Sequence, residues 1–96
     1  MAMAIKSFRH KGLQELYEAD RARGIRADQA KRLRRALTAL DTAATIGDMK
    51  AYPGWRLHPL TGDLKGFWSI SITGNWRLIF RFQAGDAYDL DLVDYH

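Results

Sequence analysis

The sequence predicts a small α+β fold, in which two N-terminal helices pack on an antiparallel sheet of about four to five strands. Two patterns support this class. Apolar and polar residues alternate on both sides of Gly74-Asn75, which is the pattern of a β-hairpin with a two-residue turn. Between His10 and Ala44, apolar residues recur every three to four positions instead, as in amphipathic helices. The 96 residues are expected to form one domain, residues 1–96.

The hairpin, from Gly66 to Phe82, has one apolar face that needs a cover. Its other face carries Arg77 and Arg81. The rest of the chain is therefore expected to supply the helices that cover the apolar face. That face consists of Trp68, Ile70, Ile72, Trp76, Leu78, Phe80 and Phe82.

The N-terminal part is predicted to contain a short strand and two helices. Residues 4–8 form the strand, at an edge of the sheet or beside the hairpin. The first helix spans His10 to Asp20. The second spans Asp28 to about Ala44, with Asp28 as its N-cap acceptor. Its apolar stripe is Ala30, Leu33, Leu37 and Leu40, and its opposite faces carry Lys31, Arg32, Arg34 and Arg35.

The C-terminal part is predicted to add one strand before the hairpin and one after it. Residues 55–58 form the first of these, which places Arg56 and His58 on the same face. It ends at Pro59, because proline has no amide hydrogen for the ladder. Short links favour antiparallel pairing. The last strand alternates Tyr88, Leu90 and Leu92 with Asp89, Asp91 and Val93.

Positive charge is concentrated in the N-terminal half. Residues 1–50 contain 11 Lys and Arg against six Asp and Glu, residues 51–96 contain four against five, and the net charge is +4. A basic half favours an anionic partner, with nucleic acid first. A solvated helix surface explains the same charge, because Lys and Arg are good helix formers, so both interpretations stay open.

The absence of several motifs limits the possible functions. The chain has no cysteine, which removes thiolate nucleophiles and cysteine zinc sites, and its three histidines lie far apart. It also lacks a glycine-rich phosphate loop, a signal-peptide h-region and an apolar run of membrane-spanning length. We therefore expect no metal, no cofactor and no membrane association, and a cytoplasmic location.

A polar set facing away from the predicted core is the candidate for chemistry. His58 and Arg56 share a strand face, while Lys65 and Arg77 lie at the entry and on the outward face of the hairpin. The last strand ends in Asp94, Tyr95 and His96. Histidine transfers protons near neutral pH, and arginine and lysine stabilise phosphate charge, so this set suits metal-free RNA cleavage. A merely solvated sheet face carries similar residues, and spacing alone does not separate the two interpretations.

Six segments carry a specific resemblance. They are residues 5–13 (IKSFRHKGL), 30–33 (AKRL), 53–60 (PGWRLHPL), 66–70 (GFWSI), 74–82 (GNWRLIFRF) and 94–96 (DYH). Together they resemble the HigB toxins of bacterial type II toxin–antitoxin pairs, in the RelE/ParE superfamily, over essentially the whole chain. The fold of that family, a small sheet with two N-terminal helices, agrees with the elements predicted above.

The resemblance implies a ribosome-dependent mRNA endonuclease. Toxins of this kind enter the ribosomal A site, cut the codon there and inhibit translation. The resemblance also implies a cognate HigA antitoxin, a helix-turn-helix protein that binds the toxin and represses the shared promoter. The toxin would then contact the ribosome and mRNA directly, and DNA only through the antitoxin.

Roles follow from the resemblance by position. His58 matches the active-site histidine before Pro-Leu, and Arg77 matches the arginine after Asn-Trp. We assign Arg77 to phosphate binding, together with Lys65 and Arg56. The C-terminal catalytic cluster is matched by Asp94, Tyr95 and His96. Ribosomal RNA is expected to bind the basic helix at Lys31, Arg32, Arg34 and Arg35.

One position departs from the pattern of the family. Relatives carry a functional lysine in an HPLKGD motif, where this chain has Thr61. Either Lys65 compensates for the missing charge or the activity is weak. Two alternatives remain: a ParE-type toxin that acts on DNA gyrase, for which His58 is dispensable, and a toxin with decayed activity that chiefly binds its antitoxin.

Overall fold

Residues 4–94 are described by the structure, a computed structural model, and contain two α-helices packed on one face of a four-stranded antiparallel sheet. The helices are α1 (Lys11–Ala19) and α2 (Ala27–Thr42), and the strands in spatial order are β1 (His58–Pro59), β2 (Trp68–Thr73), β3 (Trp76–Gln83) and β4 (Asp86–Asp94). Short 3₁₀ helices lie at Ile46–Ala51, Pro53–Trp55 and Gly62–Leu64. The predicted α+β class and its arrangement are confirmed.

The core lies between the helices and one face of the sheet. Leu33 and Leu40 of α2 are fully buried in one cluster with Leu78 and Phe80 of β3. All four occupy positions of the predicted apolar stripe or face. Fully burying a side chain of this size contributes about 1.5–3 kcal/mol, so covering this face is the main reason that the helices dock on it.

Helix α1 begins at a histidine cap. The Nδ1 atom of His10 accepts a hydrogen bond from the backbone N–H of Leu13 at 3.1 Å, which satisfies one of the free amides of the first turn. A Cβ atom on Gly12 would lie 2.8 Å from the carbonyl oxygen of Gly24, so the first turn of α1 approaches the link to α2 closely. His10 therefore has a structural role.

Helix α2 begins one position earlier than predicted. Its N-cap residue is Arg26, not Asp28, and Arg26 makes no side-chain cap bond. Asp28 lies in the first turn, where its carboxylate pairs with Arg26 at 3.0 Å. The cap prediction was wrong because an acidic residue stabilises a helix N-terminus from the first turn as well as from the cap.

The predicted N-terminal strand is present only in part. Residues 4–9 lie parallel to β4 at the edge of the sheet, with isolated bridges from Ile5 to Ala87 and from Phe8 to Leu90. The edge position is as predicted, but the pairing is not continuous. It is interrupted because β4 carries a bulge at Asp89, between the two bridges.

The bulge also changes which residues of β4 face the core. The register of β3 and β4 shifts between Ile79 and Arg81, and Asp89 adopts a left-handed conformation with φ of 54°. The core-facing residues are therefore Ala87, Leu90 and Leu92. The prediction that Tyr88 shares their face was wrong, because strict alternation does not continue through a bulge, and Tyr88 pairs with Arg81 instead.

The strand predicted over residues 55–58 is mostly absent. Pro53–Trp55 is a 3₁₀ helix, and Arg56 has a positive φ of 49°, so regular pairing begins only at His58. The strand ends at Pro59, as predicted, and Pro59 itself pairs with Trp68. Because β1 is an edge strand, the missing amide of a proline is tolerated there. Arg56 and His58 therefore do not share a strand face by alternation.

Neither helix within residues 4–94 has the length and apolar character that a membrane span requires.

Tyr17 ties α1 to α2 and to the N-terminal segment. Its hydroxyl donates to Asp41 Oδ1 at 2.6 Å, and the same oxygen accepts from the backbone of Ala4. Burial, followed by the bond and the charge of Asp41, raises the pKa of Tyr17 to about 12.

Replacing Tyr17 by phenylalanine is expected to lower the free energy of unfolding by about 1.5–3 kcal/mol, the range for a hydrogen bond to a charged group. Urea denaturation at pH 7 measures this loss. Because the folded-state pKa exceeds the unfolded value of about 10, the difference between the two proteins stays constant below pH 10 and shrinks as the pH rises toward 12. A difference that grows above pH 10 would contradict the role of Asp41.

Candidate active site

The sheet has a second face, directed away from the helices. The cross-strand register aligns His58 with Ser69, Ser69 with Ile79, and Ile79 with Asp91. Residues paired across strands share a face, and the neighbouring Ile70 belongs to the helix-side core, so this row points the other way. We call this surface the outward face. It also includes Ser71, Arg77 and Val93 on one side of the row, and Phe67, Arg81 and Tyr88 on the other.

His58 lies at the exposed edge of the outward face. Its Nδ1 atom is 3.0 Å from the carbonyl oxygen of Arg56. Because a carbonyl oxygen only accepts hydrogen bonds, this contact requires the proton to be on Nδ1. The neutral ring then presents its Nε2 lone pair, which is the form that a general base needs.

Arg77 lies on the outward face, as predicted from the hairpin pattern. Its Nη1 atom donates to the carbonyl oxygens of Gly74 at 2.9 Å and Trp76 at 3.1 Å. These bonds hold the guanidinium against the hairpin turn and leave its other N–H groups for a ligand. From strand geometry, the backbones of His58 and Arg77 are about 10 Å apart across the strands and about 7 Å along them. Two side chains of this length reach one phosphodiester between them.

The other residues predicted to bind phosphate lie apart from Arg77. Lys65 is exposed and directly precedes Gly66 and Phe67, at the opposite end of β2 from Arg77. Arg56 is exposed at the C-terminus of the second 3₁₀ helix, just before β1. The predicted phosphate-binding residues are thus distributed around His58.

Asp94 does not join His58 on the outward face. It pairs with Trp76, whose ring packs against the helix-side core, and it lines a shallow depression with Arg26 and Asp28. The register therefore places Asp94 on the helix side of the sheet. The other two residues of the predicted cluster, Tyr95 and His96, lie outside the described residues.

The cations of α2 also lie on the helix side. Arg34 pairs with Asp20 at 2.9 Å, and the Nη1 atom of Arg32 donates to the carbonyl oxygen of Ile72 at 2.8 Å. Lys31 and Arg35 are exposed and make no ion pair within residues 4–94. The predicted ribosome-binding surface and the outward face are thus separate surfaces.

The sequence analysis did not identify Ser69, Phe67 and Arg9 as part of the candidate site. Ser69 is fully buried, and its hydroxyl has no hydrogen-bond partner among residues 4–94. Phe67 is buried under the guanidinium groups of Arg9 and Arg81. Alternation in the hairpin indicated the outward direction of Ser69 and Phe67. Nothing in the local pattern indicated that Arg9, far away in sequence, reaches the same ring.

A separate groove of about 680 Å³ lies between α2 and residues 52–55. Its lining is mostly apolar, although Arg34 and Arg35 also line it. The hydroxyl groups of Thr38 and Thr42 donate to carbonyl oxygens of their own helix. Tyr52 is exposed there and stacks on Trp55 at 4.3 Å between ring centroids. Among residues 4–94 the lining contains no histidine, aspartate or glutamate, so these residues are unsuited to acid–base chemistry.

Comparisons with known proteins find similar sequences over most of the chain. A family model described as the RelE-like toxin HigB of type II toxin–antitoxin systems matches residues 6–96. A protein of Proteus vulgaris named Endoribonuclease HigB is 47% identical over 92 residues, which cover 96% of this chain and 99% of that protein. A protein of Vibrio cholerae named Toxin HigB-1 is 40% identical over 81 residues, covering 83% of this chain and 85% of that one.

A solved structure shares the fold. The YoeB/ParE toxin from Agrobacterium tumefaciens superposes with a TM-score of 0.51, covering 98% of this chain and 99% of that one. At 18% identity, this likeness concerns the arrangement of helices and strands alone.

Proposed function

Because the chain belongs to the HigB-like family of RelE-like type II toxins, we propose that it is a ribosome-dependent endoribonuclease that cuts mRNA in the ribosomal A site and thereby inhibits translation. The observation that carries the proposal is the joint placement of His58 and Arg77 on the outward face. The name of the Proteus vulgaris relative supports the ribonuclease part. The ribosome and the cytoplasm are the expected setting.

The proposed reaction is a transfer of the phosphoryl group to the neighbouring 2′-hydroxyl. His58 Nε2 takes the 2′-hydroxyl proton, and the oxygen attacks phosphorus, so that the O2′–P bond forms and the P–O5′ bond breaks. Arg77 stabilises the charge that develops on the phosphoryl oxygens. The 5′-oxygen leaves with a proton, which we assign to His96. The products are a 2′,3′-cyclic phosphate and a 5′-hydroxyl.

The remaining predicted residues have supporting roles in this proposal. Tyr95 positions the nucleotide by stacking or through its hydroxyl, and Asp94 orients the two residues that follow it. Lys65 and Arg56 add positive charge around the phosphate. Each of these assignments rests on position in the family pattern.

A type II toxin has an antitoxin as its partner. We propose that this antitoxin is a HigA-type helix-turn-helix protein, and that the toxin reaches DNA only as part of their complex. The runner-up function, a non-nucleolytic toxin that acts on DNA gyrase, is supported by the shared ParE-like fold alone.

The experiment that tests the proposal mixes the purified protein with ribosomes carrying a defined mRNA, with free mRNA, and with gyrase and plasmid DNA. Primer extension maps cuts in the message, and gel electrophoresis follows supercoiling. We expect cuts in the A-site codon on ribosomes and none in free mRNA. Inhibited supercoiling with intact mRNA would transfer the assignment to the gyrase toxin.

Replacing Thr61 by lysine is expected to raise the cleavage rate about 10- to 100-fold, because it restores a positive charge at the position of the family's functional lysine, three residues after His58. Thr61 is exposed and directly precedes the 3₁₀ helix Gly62–Leu64, so a longer side chain is accommodated. Single-turnover cleavage on ribosomes measures the change. Thr61→Gln, which is long but neutral, serves as the control, and an equal gain in both variants would contradict the charge argument.

Neutralising Lys31 and Arg35 together is expected to weaken ribosome binding and to reduce the slope of log affinity against log salt by about one to two, as two lost phosphate contacts would. The rate of cleavage at saturating ribosomes should be unchanged. The exposed pair Arg21 and Arg23, neutralised in the same way, controls for net charge. Identical slopes for all three proteins would count against α2 as the ribosome-binding surface.

A further inference from the structure

Two guanidinium groups converge on one buried ring of the outward face. The Cζ atom of Arg81 is 4.6 Å from the centroid of the Phe67 ring, and that of Arg9 is 4.9 Å from it. Arg81 belongs to β3, which neighbours β2, the strand that begins directly after Phe67. Arg9 comes from the N-terminal segment beside β4, at the other edge of the sheet. A cation over an aromatic face is attracted by the ring quadrupole, so Phe67 holds both arginines.

Arg81 is held from several sides. A Cβ atom on Gly66 would lie 3.0 Å from Arg81 Nη1, so the side chain passes directly over this glycine. Asp89 Oδ2 lies 3.5 Å from Arg81 Nε. Asp89 is in turn fixed by Ser7, whose Oγ accepts from the backbone N–H of Asp89 at 2.8 Å and donates to its carboxylate at 3.2 Å. The guanidinium is therefore positioned before any ligand arrives.

This cluster has more positive than negative charge. Asp89 is the carboxylate within ion-pair distance of Arg81, and Arg9 makes no ion pair within residues 4–94. Stacking uses the flat face of a guanidinium and leaves its N–H groups at the edge free for other partners. The side chain of Arg81 is 46% exposed, so these groups are accessible. Two such edges suit a phosphate, which accepts paired hydrogen bonds from arginine.

The chemistry of the cluster favours a phosphate over a nucleobase. A base is held on single-stranded RNA by stacking on an exposed aromatic face. Phe67 is only 2% exposed and is already covered by the two arginines, so it offers no such face. The site presents N–H donors and a net positive charge.

The cluster also lies at a suitable distance from His58. Phe67 is two residues from Ser69, the register partner of His58, so the two rows are about 7 Å apart along β2. Arg77 lies on the other side of the His58 row. We propose that Arg9 and Arg81 form a second phosphate site, which binds the RNA phosphate next to the one that is cut. This inference rests on the proposed ribonuclease function.

The test compares unmodified mRNA with mRNAs that carry one neutral methylphosphonate linkage immediately 5′ or 3′ of the scissile phosphate. Wild type and an Arg9→Gln/Arg81→Gln double variant are assayed on ribosomes. We expect one of the two methylphosphonate linkages to slow cleavage by wild type about tenfold. We expect the double variant to cut unmodified mRNA about as slowly as wild type cuts the mRNA with that linkage. For the double variant, the same linkage should cause no further decrease in the cleavage rate. Equal sensitivity of both proteins to the linkage, or insensitivity of the wild type at both positions, would overturn the proposal.

Control variants separate charge from stability. Arg81→Lys keeps the positive charge but loses the paired N–H donors of the guanidinium. Its cleavage rate should therefore lie between those of wild type and Arg81→Gln. Arg21→Gln removes an exposed cation elsewhere and should behave as wild type. Thermal melting establishes that each variant is folded at the assay temperature.

The proposed function fails if wild type leaves unmodified mRNA intact on ribosomes. A binding measurement then tests the phosphate site without cleavage. Fluorescence anisotropy of a short single-stranded RNA oligonucleotide is then followed across a salt series. Because the site binds one phosphate, the slope of log affinity against log salt is expected to fall by about 0.7 in the double variant. An unchanged slope rejects the site independently of catalysis.

Discussion

Replacing His58 by alanine is expected to lower the rate of mRNA cleavage on ribosomes by about 10²- to 10⁴-fold, the usual contribution of a positioned general base. The Nδ1–H bond to the carbonyl oxygen of Arg56 fixes the tautomer that leaves Nε2 free to accept a proton. His58 is exposed and belongs to an edge strand of two residues, so its removal should leave the fold intact. Single-turnover primer extension at saturating toxin measures the chemical step.

The matched control for this variant is His10→Asn. His10 caps α1 through Nδ1, and asparagine retains an acceptor for that cap. This variant should cut at the wild-type rate. Wild-type cleavage by His58→Ala would show that His58 is not the base, and equal losses in both variants would indicate a general effect on the fold.

Replacing Phe80 by alanine is expected to lower the free energy of unfolding by about 3–5 kcal/mol, because it removes a fully buried ring from the middle of the core. The total free energy of unfolding of a domain of this size is about 5–15 kcal/mol, so the variant should unfold at a much lower urea concentration than wild type. Phe82→Ala is the control, since Phe82 lies on the same strand but is only partly buried. Equal losses in the two variants would contradict the assignment of the core centre to Phe80.

Hydrophobic periodicity was sufficient to predict the main elements. The stripe of α2 and the apolar face of the hairpin are buried against each other as expected, with Leu33 and Leu78 fully buried. The turn at Gly74-Asn75 was also predicted, and Gly74 adopts the positive φ that such a turn needs. Periodicity succeeds for these elements because one face of each is buried.

The elements that periodicity missed depend on backbone conformations of single residues. Arg56 and Asp89 both adopt positive φ values, which are uncommon for residues other than glycine and leave no sequence signal of their own. At Arg56 the positive φ ends the 3₁₀ helix Pro53–Trp55, so that only the short β1 follows where a longer strand was predicted. At Asp89 the positive φ accompanies the bulge that directs Tyr88 to the outward face.

The candidate site was predictable to a similar extent. The outward direction of Arg77 followed from alternation, and His58 from its position in the family pattern. The separation of Asp94 from His58 also follows from alternation, because Asp94 lies two residues after the core-facing Leu92. Asp94 was assigned to the catalytic cluster from the family pattern alone. The contact of Arg9 with Phe67 depends on tertiary packing between the two edges of the sheet.

The chemistry of the cut ends is the most direct test of the central claim, which is that an acid–base mechanism with His58 of the outward face as the base transfers the phosphoryl group to the 2′-hydroxyl. Wild type would be incubated with ribosomes carrying an end-labelled mRNA, and both new ends would be identified by enzymatic end-labelling and mass spectrometry. The account predicts a 2′,3′-cyclic phosphate and a 5′-hydroxyl at a cut within the A-site codon. A 3′-hydroxyl and a 5′-phosphate at that cut would contradict it, because water rather than the 2′-oxygen would then have attacked the phosphorus.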